Sequence, residues 1–205
     1  MRIGILGAGH IGGTLGKRWA ERNHEIVFGV REPQDTKIQA LVDTPGLHMR
    51  VGTITEAVAF GEVVLLAIPG AAVDEVIQQV SNWYGKVLID ATNRFISPTA
   101  GRRSSTEEVA QRASGARVVK AFNSAGFEIL ANPSFGDQHA DTFLCGDDAE
   151  AKALVTALAV DIGMGAVDVG SLSSASLIDA LTRMWGQITR SKGRGVAFKV
   201  LTRET

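Results

Sequence analysis

The chain begins with a short apolar strand, RIGIL at Arg2 to Leu6, runs into a glycine-rich turn, GAGHIGG at Gly7 to Gly13, and continues as an amphipathic helix from Ile11 to Arg22. A second strand follows at once, EIVFG at Glu25 to Gly29. Strand, tight turn, helix and strand within about 30 residues form one βαβ unit, and few architectures accommodate such a start. Further strands are expected at Met49 to Thr53, Val63 to Ile68, Lys86 to Asp90 and Arg117 to Phe122, with helical patterns between several of them, such as Ala72 to Val80. Their runs of Val, Leu and Ile lack polar alternation, which suits parallel strands covered on both faces.

After Gly136 the pattern resumes, with a strand at Asp141 to Cys145, a helix at Asp147 to Asp161, a strand at Ala166 to Val169 and a helix at Ser173 to Arg190. In the first of these helices Ala151, Leu154, Val155, Leu158, Ala159 and Ile162 recur at helical spacing and make one stripe for packing on a sheet. The expected fold is therefore α/β: a doubly wound, mostly parallel Rossmann sheet over residues 1–138, with a small C-terminal α/β lobe over residues 139–205. One polar loop stands out by its length, Asn93 to Ser105.

Charge and cysteine content exclude several classes of function. Lys plus Arg is 21 and Asp plus Glu 22, a balance that fits neither a nucleic-acid binder nor a polybasic membrane protein. The longest apolar run, VVLLAI at Val63 to Ile68, ends at Pro69 and is far short of the roughly 18 residues of a membrane helix. A single cysteine, Cys145, allows no internal disulfide and suits a reducing compartment, and the start of the chain does not read as a signal peptide. A cytoplasmic protein with no membrane or nucleic-acid partner is expected.

With 23 glycines in the chain, the spacing G-x-G-x-x-G is a weak signal by itself. Its position between a strand and a helix makes it a phosphate-binding turn. Gly7 makes the sharp bend, Gly9 lets a pyrophosphate approach the backbone, and Gly12 lets helix and strand pack closely. The N–H groups around His10 and Ile11, at the start of the helix, then face the phosphates. The His10 side chain is read as a spectator there. At the end of the second strand a carboxylate would accept the ribose 2′-OH of NAD, whereas this chain has Val30 followed by Arg31. A guanidinium there can hold a 2′-phosphate, and Lys37 can add a second positive charge, so the expected cofactor is NADP.

The order of motifs resembles the coenzyme F(420)-dependent NADP oxidoreductase family. GAGHIGG is followed by FGVR, by AIP at Ala67 to Pro69, by DATN at Asp90 to Asn93, by VVKAFN at Val118 to Asn123, by FLCGDDAEAK from Phe143 and by AFKVL near Ala197. The resemblance implies that Gly9, His10, Ile11, Val30, Arg31, Ala67, Ile68 and Pro69 line the NADP site. It places Asn93 and Asn123 at strand ends near the nicotinamide, Asn123 toward the substrate, and it implies a deazaflavin as co-substrate, entering between the dinucleotide domain and the C-terminal lobe. A further resemblance, in the VVKAFN strand, is to the cytosolic domain of membrane metalloreductases.

Hydride transfer between a nicotinamide and a flavin-like ring asks the protein to align two planar groups and exclude water, and it requires no dedicated acid or base for the hydride step. That suits a chain whose four histidines, His10, His24, His48 and His139, lack metal-ligand spacing. Tyr84 is followed four residues later by Leu88, which excludes a Tyr-x-x-x-Lys carbonyl reductase. Lys120 is read as structural, paired with a carboxylate or snorkelling to the sheet end, and Cys145 as a small core residue.

In the last helix Leu177, Leu181, Met184, Trp185 and Ile188 fall on one side. They are expected to pack on the sheet or across a homodimer, and Met184 and Trp185 are also candidates to touch a planar substrate ring. The expected function is transfer of hydride between NADP(H) and a deazaflavin or flavin-like electron carrier. The alternative is an NADP(H)-binding sensor without turnover.

Overall fold

The computed structural model describes residues 1–94 and 104–203. In chain order its elements are β1 (Arg2–Leu6), α1 (His10–Ala20), β2 (Glu25–Gly29), α2 (Thr36–Val42), β3 (Met49–Gly52), α3 (Ile54–Phe60), β4 (Val63–Leu66), a 3-10 turn (Gly70–Ala72), α4 (Val73–Gln78) and β5 (Val87–Asp90). They continue as α5 (Ser105–Arg112), β6 (Arg117–Lys120), α6 (Phe127–Ala131), β7 (Ser134–Phe135), β8 (Gln138–His139), β9 (Asp141–Gly146), α7 (Ala149–Asp161), β10 (Gly165–Asp168), a second 3-10 turn (Leu172–Ser174) and α8 (Ala175–Lys192).

Eight of the strands form one sheet in the order β10, β9, β6, β5, β4, β1, β2, β3. The six strands from β1 to β6 are all parallel, and the order reverses beside β1, where β2 and β4 flank it. That reversal opens a crevice at the strand C-termini, the place where doubly wound sheets bind ligands. The fold is the mostly parallel Rossmann-like sheet expected. Antiparallel pairing occurs in it where β9 meets β6, in register Lys120 with Cys145, and β10 then runs parallel to β9. The 138/139 division falls inside β8, and the strands beyond it extend this same sheet.

Period-two alternation sorts the strand residues between two layers. Ile3, Ile5, Val63, Leu65, Val87, Ile89 and Val119 face α1, α6 and α7, where Leu15, Trp19, Leu130, Val155 and Leu158 complete one core. Leu6, Val64, Leu66, Leu88 and Val118 face α3, α4 and α5. Both faces of each central strand are therefore covered, which is why the strands read as unbroken apolar runs. The stripe expected on α7 is found: Ala151, Val155, Leu158, Ala159 and Ile162 are fully buried. Two short helices begin in capping boxes, Thr53 with Glu56 before α3 and Ser104 with Glu107 before α5.

The inward face of α8 differs from the apolar stripe expected. Ala175, Ile178, Asp179, Thr182 and Trp185 are buried, while Leu177 and Met184 are 66% and 49% exposed. The helix is turned so that two polar residues meet polar partners on the sheet.

Candidate functional site

A cleft of about 350 Å³ opens at the C-terminal ends of β1, β2 and β4. Its wall includes Gly7, Gly9, Val30, Arg31, Ala67, Ile68 and Pro69, so seven of the residues expected at the cofactor are brought together there. The three glycines of the turn differ in what makes them glycine. Gly7 has φ +103°, in the left-handed region, and a Cβ on it would lie 2.5 Å from the Ala67 carbonyl oxygen. A Cβ on Gly12 would collide with the Gly7 carbonyl oxygen, while one on Gly9 would meet nothing within 4 Å. At Gly9, therefore, the open space belongs to the cleft.

Helix α1 starts at this turn without a side-chain cap and without an acidic residue in its first turn. Its first N–H groups are left for an anion, and the helix dipole favours one. Ile11 is half-buried and packs on the core, and the exposed ring of His10 stacks on Phe127 with centroids 4.6 Å apart. Across the cleft Arg31 is exposed and, among the described residues, forms no ion pair. The residues present thus fit a pyrophosphate at the turn and a further phosphate at the end of β2. Lys37 sits on α2, exposed, one residue away from the cleft-lining Ile38; its backbone N–H donates to Asp35 at 2.8 Å and caps the helix. Two carboxylates, Glu32 and Asp35, share the rim with Arg31.

The C-terminal ends of β5 and β6 continue the same edge of the sheet. Asp90 is fully buried and shapes the turn after β5: its Oδ1 accepts hydrogen bonds from the N–H and hydroxyl of Thr92, and its Oδ2 accepts from Thr106 Oγ1 at 2.7 Å. The turn presents Asn93 at the surface, with Asn123 buried beneath it; Asn123 Nδ2 donates to Asn93 Oδ1 at 3.1 Å. Neither asparagine lines the cleft of the turn, and both lie farther along the edge. Lys120 is fully buried, bonded to Thr92 O at 2.7 Å and paired with Asp179 at 3.2 Å and Asp90 at 3.5 Å, so the carboxylate-paired alternative describes it. Burial pushes the Asp179 carboxyl above its ordinary range, and Lys120 opposes that. Cys145 is buried beside this cluster, and burial pushes its thiol up to about 12, which leaves it unreactive.

Trp185 and Met184 part company on α8. Trp185 is buried and donates from Nε1 to Val196 O at 2.6 Å, with the Arg194 guanidinium 5.2 Å from its ring. Arg194 in turn pairs with Glu128 and lies 5.8 Å from the Phe127 ring. Met184 faces outward. Of the loop expected at Asn93 to Ser105, residues 95–103 lie outside the described residues. Asp179 and Thr182 escaped the sequence reading. Two polar residues three apart among the apolar positions of α8 were the available signal, but only the fold shows what they meet.

A family model described as "NADP oxidoreductase coenzyme F420-dependent" matches residues 2–94. The chain is 28% identical to the F420-dependent NADP reductase of Methanocaldococcus jannaschii over the whole of both chains. It is 30% identical to the rat metalloreductase STEAP3 across 88% of this chain, and it spans only 36% of that relative's length. A solved structure from Arthrobacter sp. FB24, assigned provisionally as an F420-dependent NADP reductase, superposes with a TM-score of 0.83 at 25% identity, covering 98% of this chain and 99% of its own. Among the described residues no helix is long and apolar enough to cross a membrane, and no cluster of three His, Cys, Asp or Glu could hold a metal ion.

Proposed function

The chain belongs to the F420-dependent NADP oxidoreductase family, and on that premise we propose that it moves hydride between NADP(H) and a deazaflavin or flavin-like electron carrier. The carrying observation is the cleft itself, in which open space over Gly9, the uncapped start of α1 and an exposed Arg31 meet. Gly7, Gly9 and Gly12, with the N–H groups of His10 and Ile11, hold the pyrophosphate; Arg31 holds the 2′-phosphate, with Lys37 adding positive charge nearby. Ala67, Ile68 and Pro69, which follow β4 on the far side of β1 from β2, complete the wall of the cleft, and Asn93 and Asn123 lie toward the nicotinamide. NADPH held by these residues would supply the hydride chemistry.

What remains for the chain is alignment and exclusion of water. The lobe from residue 139 onward, through Trp185 and with Met184 at its surface, borders the side where a second planar ring would enter. The family name and the M. jannaschii relative support a deazaflavin as that ring. A reducing cytoplasm suits the single buried thiol, and the exposed Leu177 and Met184 suit a homodimer contact.

The test mixes the protein with NADPH and, separately, a deazaflavin, FMN, FAD and a quinone, and follows NADPH absorbance. Oxidation coupled to the deazaflavin or a flavin is expected. Stoichiometric NADPH binding without turnover of any acceptor would overturn this reading in favour of a sensor.

A further inference from the structure

The asparagine at the end of β6 is held from α8. Asn123 Nδ2 lies within hydrogen-bond distance of three acceptors: Asn93 Oδ1 at 3.1 Å, Thr182 Oγ1 at 3.1 Å and Asp179 Oδ1 at 3.3 Å. Asp179 and Thr182 are three residues apart on α8, so one helix face presents both. With all three acceptors on the nitrogen side of the amide, the amide oxygen is turned away from them. That oxygen is buried and, among the described residues, has no donor. A buried acceptor without a donor is disfavoured, and in a binding site the missing donor is the ligand's to supply.

The orientation of the amide has an electrostatic cause. The Asp179 Oδ1 that lies 3.3 Å from Asn123 Nδ2 also lies 3.2 Å from the buried Lys120 ammonium, a group that only donates, so this oxygen is held as an acceptor. Asn123 must therefore turn its NH2 group toward α8. Thr182 reinforces this, because its hydroxyl is bonded to Ile178 O at 3.0 Å and to Asn123 O at 3.2 Å and so offers the amide a lone pair. Above this assembly lies Asn93, exposed at the edge where the nicotinamide end of the cofactor is read to lie.

We propose that Asp179 and Thr182 are positioning residues of the cofactor site, which orient the Asn123 amide so that its oxygen accepts a hydrogen bond from the nicotinamide carboxamide NH2. This rests on the reading that the cleft binds NADP(H). Neither residue touches the ligand; both act through Asn123. A neutral amide at position 179 can itself donate, so in Asp179→Asn the Asn123 amide can turn over and lose its free acceptor.

The experiment measures dissociation constants of NADPH and of adenosine 2′,5′-bisphosphate, which carries the phosphates but no nicotinamide, for the full chain and for Asp179→Asn and Thr182→Val. Asp179→Asn is expected to weaken NADPH about fivefold to tenfold, and Thr182→Val to weaken it less, while the bisphosphate is bound by both variants as by the wild type. Equal weakening of the two ligands, or no change in either, would overturn the proposal, since a merely structural role does not single out the nicotinamide. If Asp179→Asn does not fold, Thr182→Val decides the same contrast. Failure of the wild type to bind either ligand would instead bring down the cofactor reading itself.

Discussion

The carbonyl oxygen of Gly7 occupies the space that a Cβ on Gly12 would need, so the turn and the first helical turn are packed backbone to backbone. Gly9, between them, faces open space. The two positions should therefore respond oppositely to alanine. Gly12→Ala is expected to lower stability by about 1–3 kcal/mol, as overpacking does. Gly9→Ala should cost less than about 1 kcal/mol, the loss of a preferred N-cap residue, yet weaken NADPH about tenfold or more by filling the ligand's space. Urea unfolding and NADPH titration of both variants check the contrast.

Arg31 stands at the rim of the cleft and forms no ion pair among the described residues. Arg31→Ala should weaken NADPH about 10- to 100-fold, the range for a lost hydrogen bond to a charged group, and leave NADH within about twofold. Parallel titrations with the two dinucleotides test this, and equal weakening of both would remove Arg31 from the 2′-phosphate.

Lys120 is the cation between two buried carboxylates, Asp90 and Asp179. Lys120→Met leaves both without the cation they share and is expected to cost about 3–5 kcal/mol. The double variant Lys120→Met, Asp179→Asn should recover part of that loss, because it removes the carboxylate that burial already pushes upward. Chemical denaturation of the single and double variants gives the comparison.

The C-terminal tail is clamped by Glu128 and Arg194 beside Trp185. The hydrogen bond from Arg194 is the main reason the Glu128 carboxyl is held below its ordinary range. A carboxyl lowered in the folded state contributes stability that is complete above the ordinary glutamate value and is lost as pH falls through the lower, folded value. An acid titration of Trp emission should thus show a transition below the ordinary glutamate range in the wild type that is absent in Glu128→Gln.

Much of this could be read along the chain. The strands at Arg2–Leu6 and Glu25–Gly29 have the bounds expected, because an apolar run between a turn and a helix leaves little freedom, and the glycine turn was recognised from its neighbours. Short helices such as α2 and α6 are not legible in the sequence, since five to seven residues carry too little periodicity, although the capping boxes of Thr53 with Glu56 and Ser104 with Glu107 are present in it.

The sequence by itself determined the local grammar of this protein: a parallel sheet wound on both faces, a glycine turn leading into the first helix and an arginine at the end of the second strand. Those features follow from spacing of near neighbours, where side-chain alternation and backbone conformation act over a few residues. Only the tertiary structure decided that β9 joins β6 antiparallel, that Lys120 is neutralised by Asp90 and Asp179, and that α8 turns Asp179 and Thr182 inward to hold Asn123. Buried charges and amides are satisfied by whichever groups packing brings within about 3 Å, and in this chain those groups come from strands and a helix nearly 60 residues apart, with |i−j| of 59 between Asn123 and Thr182.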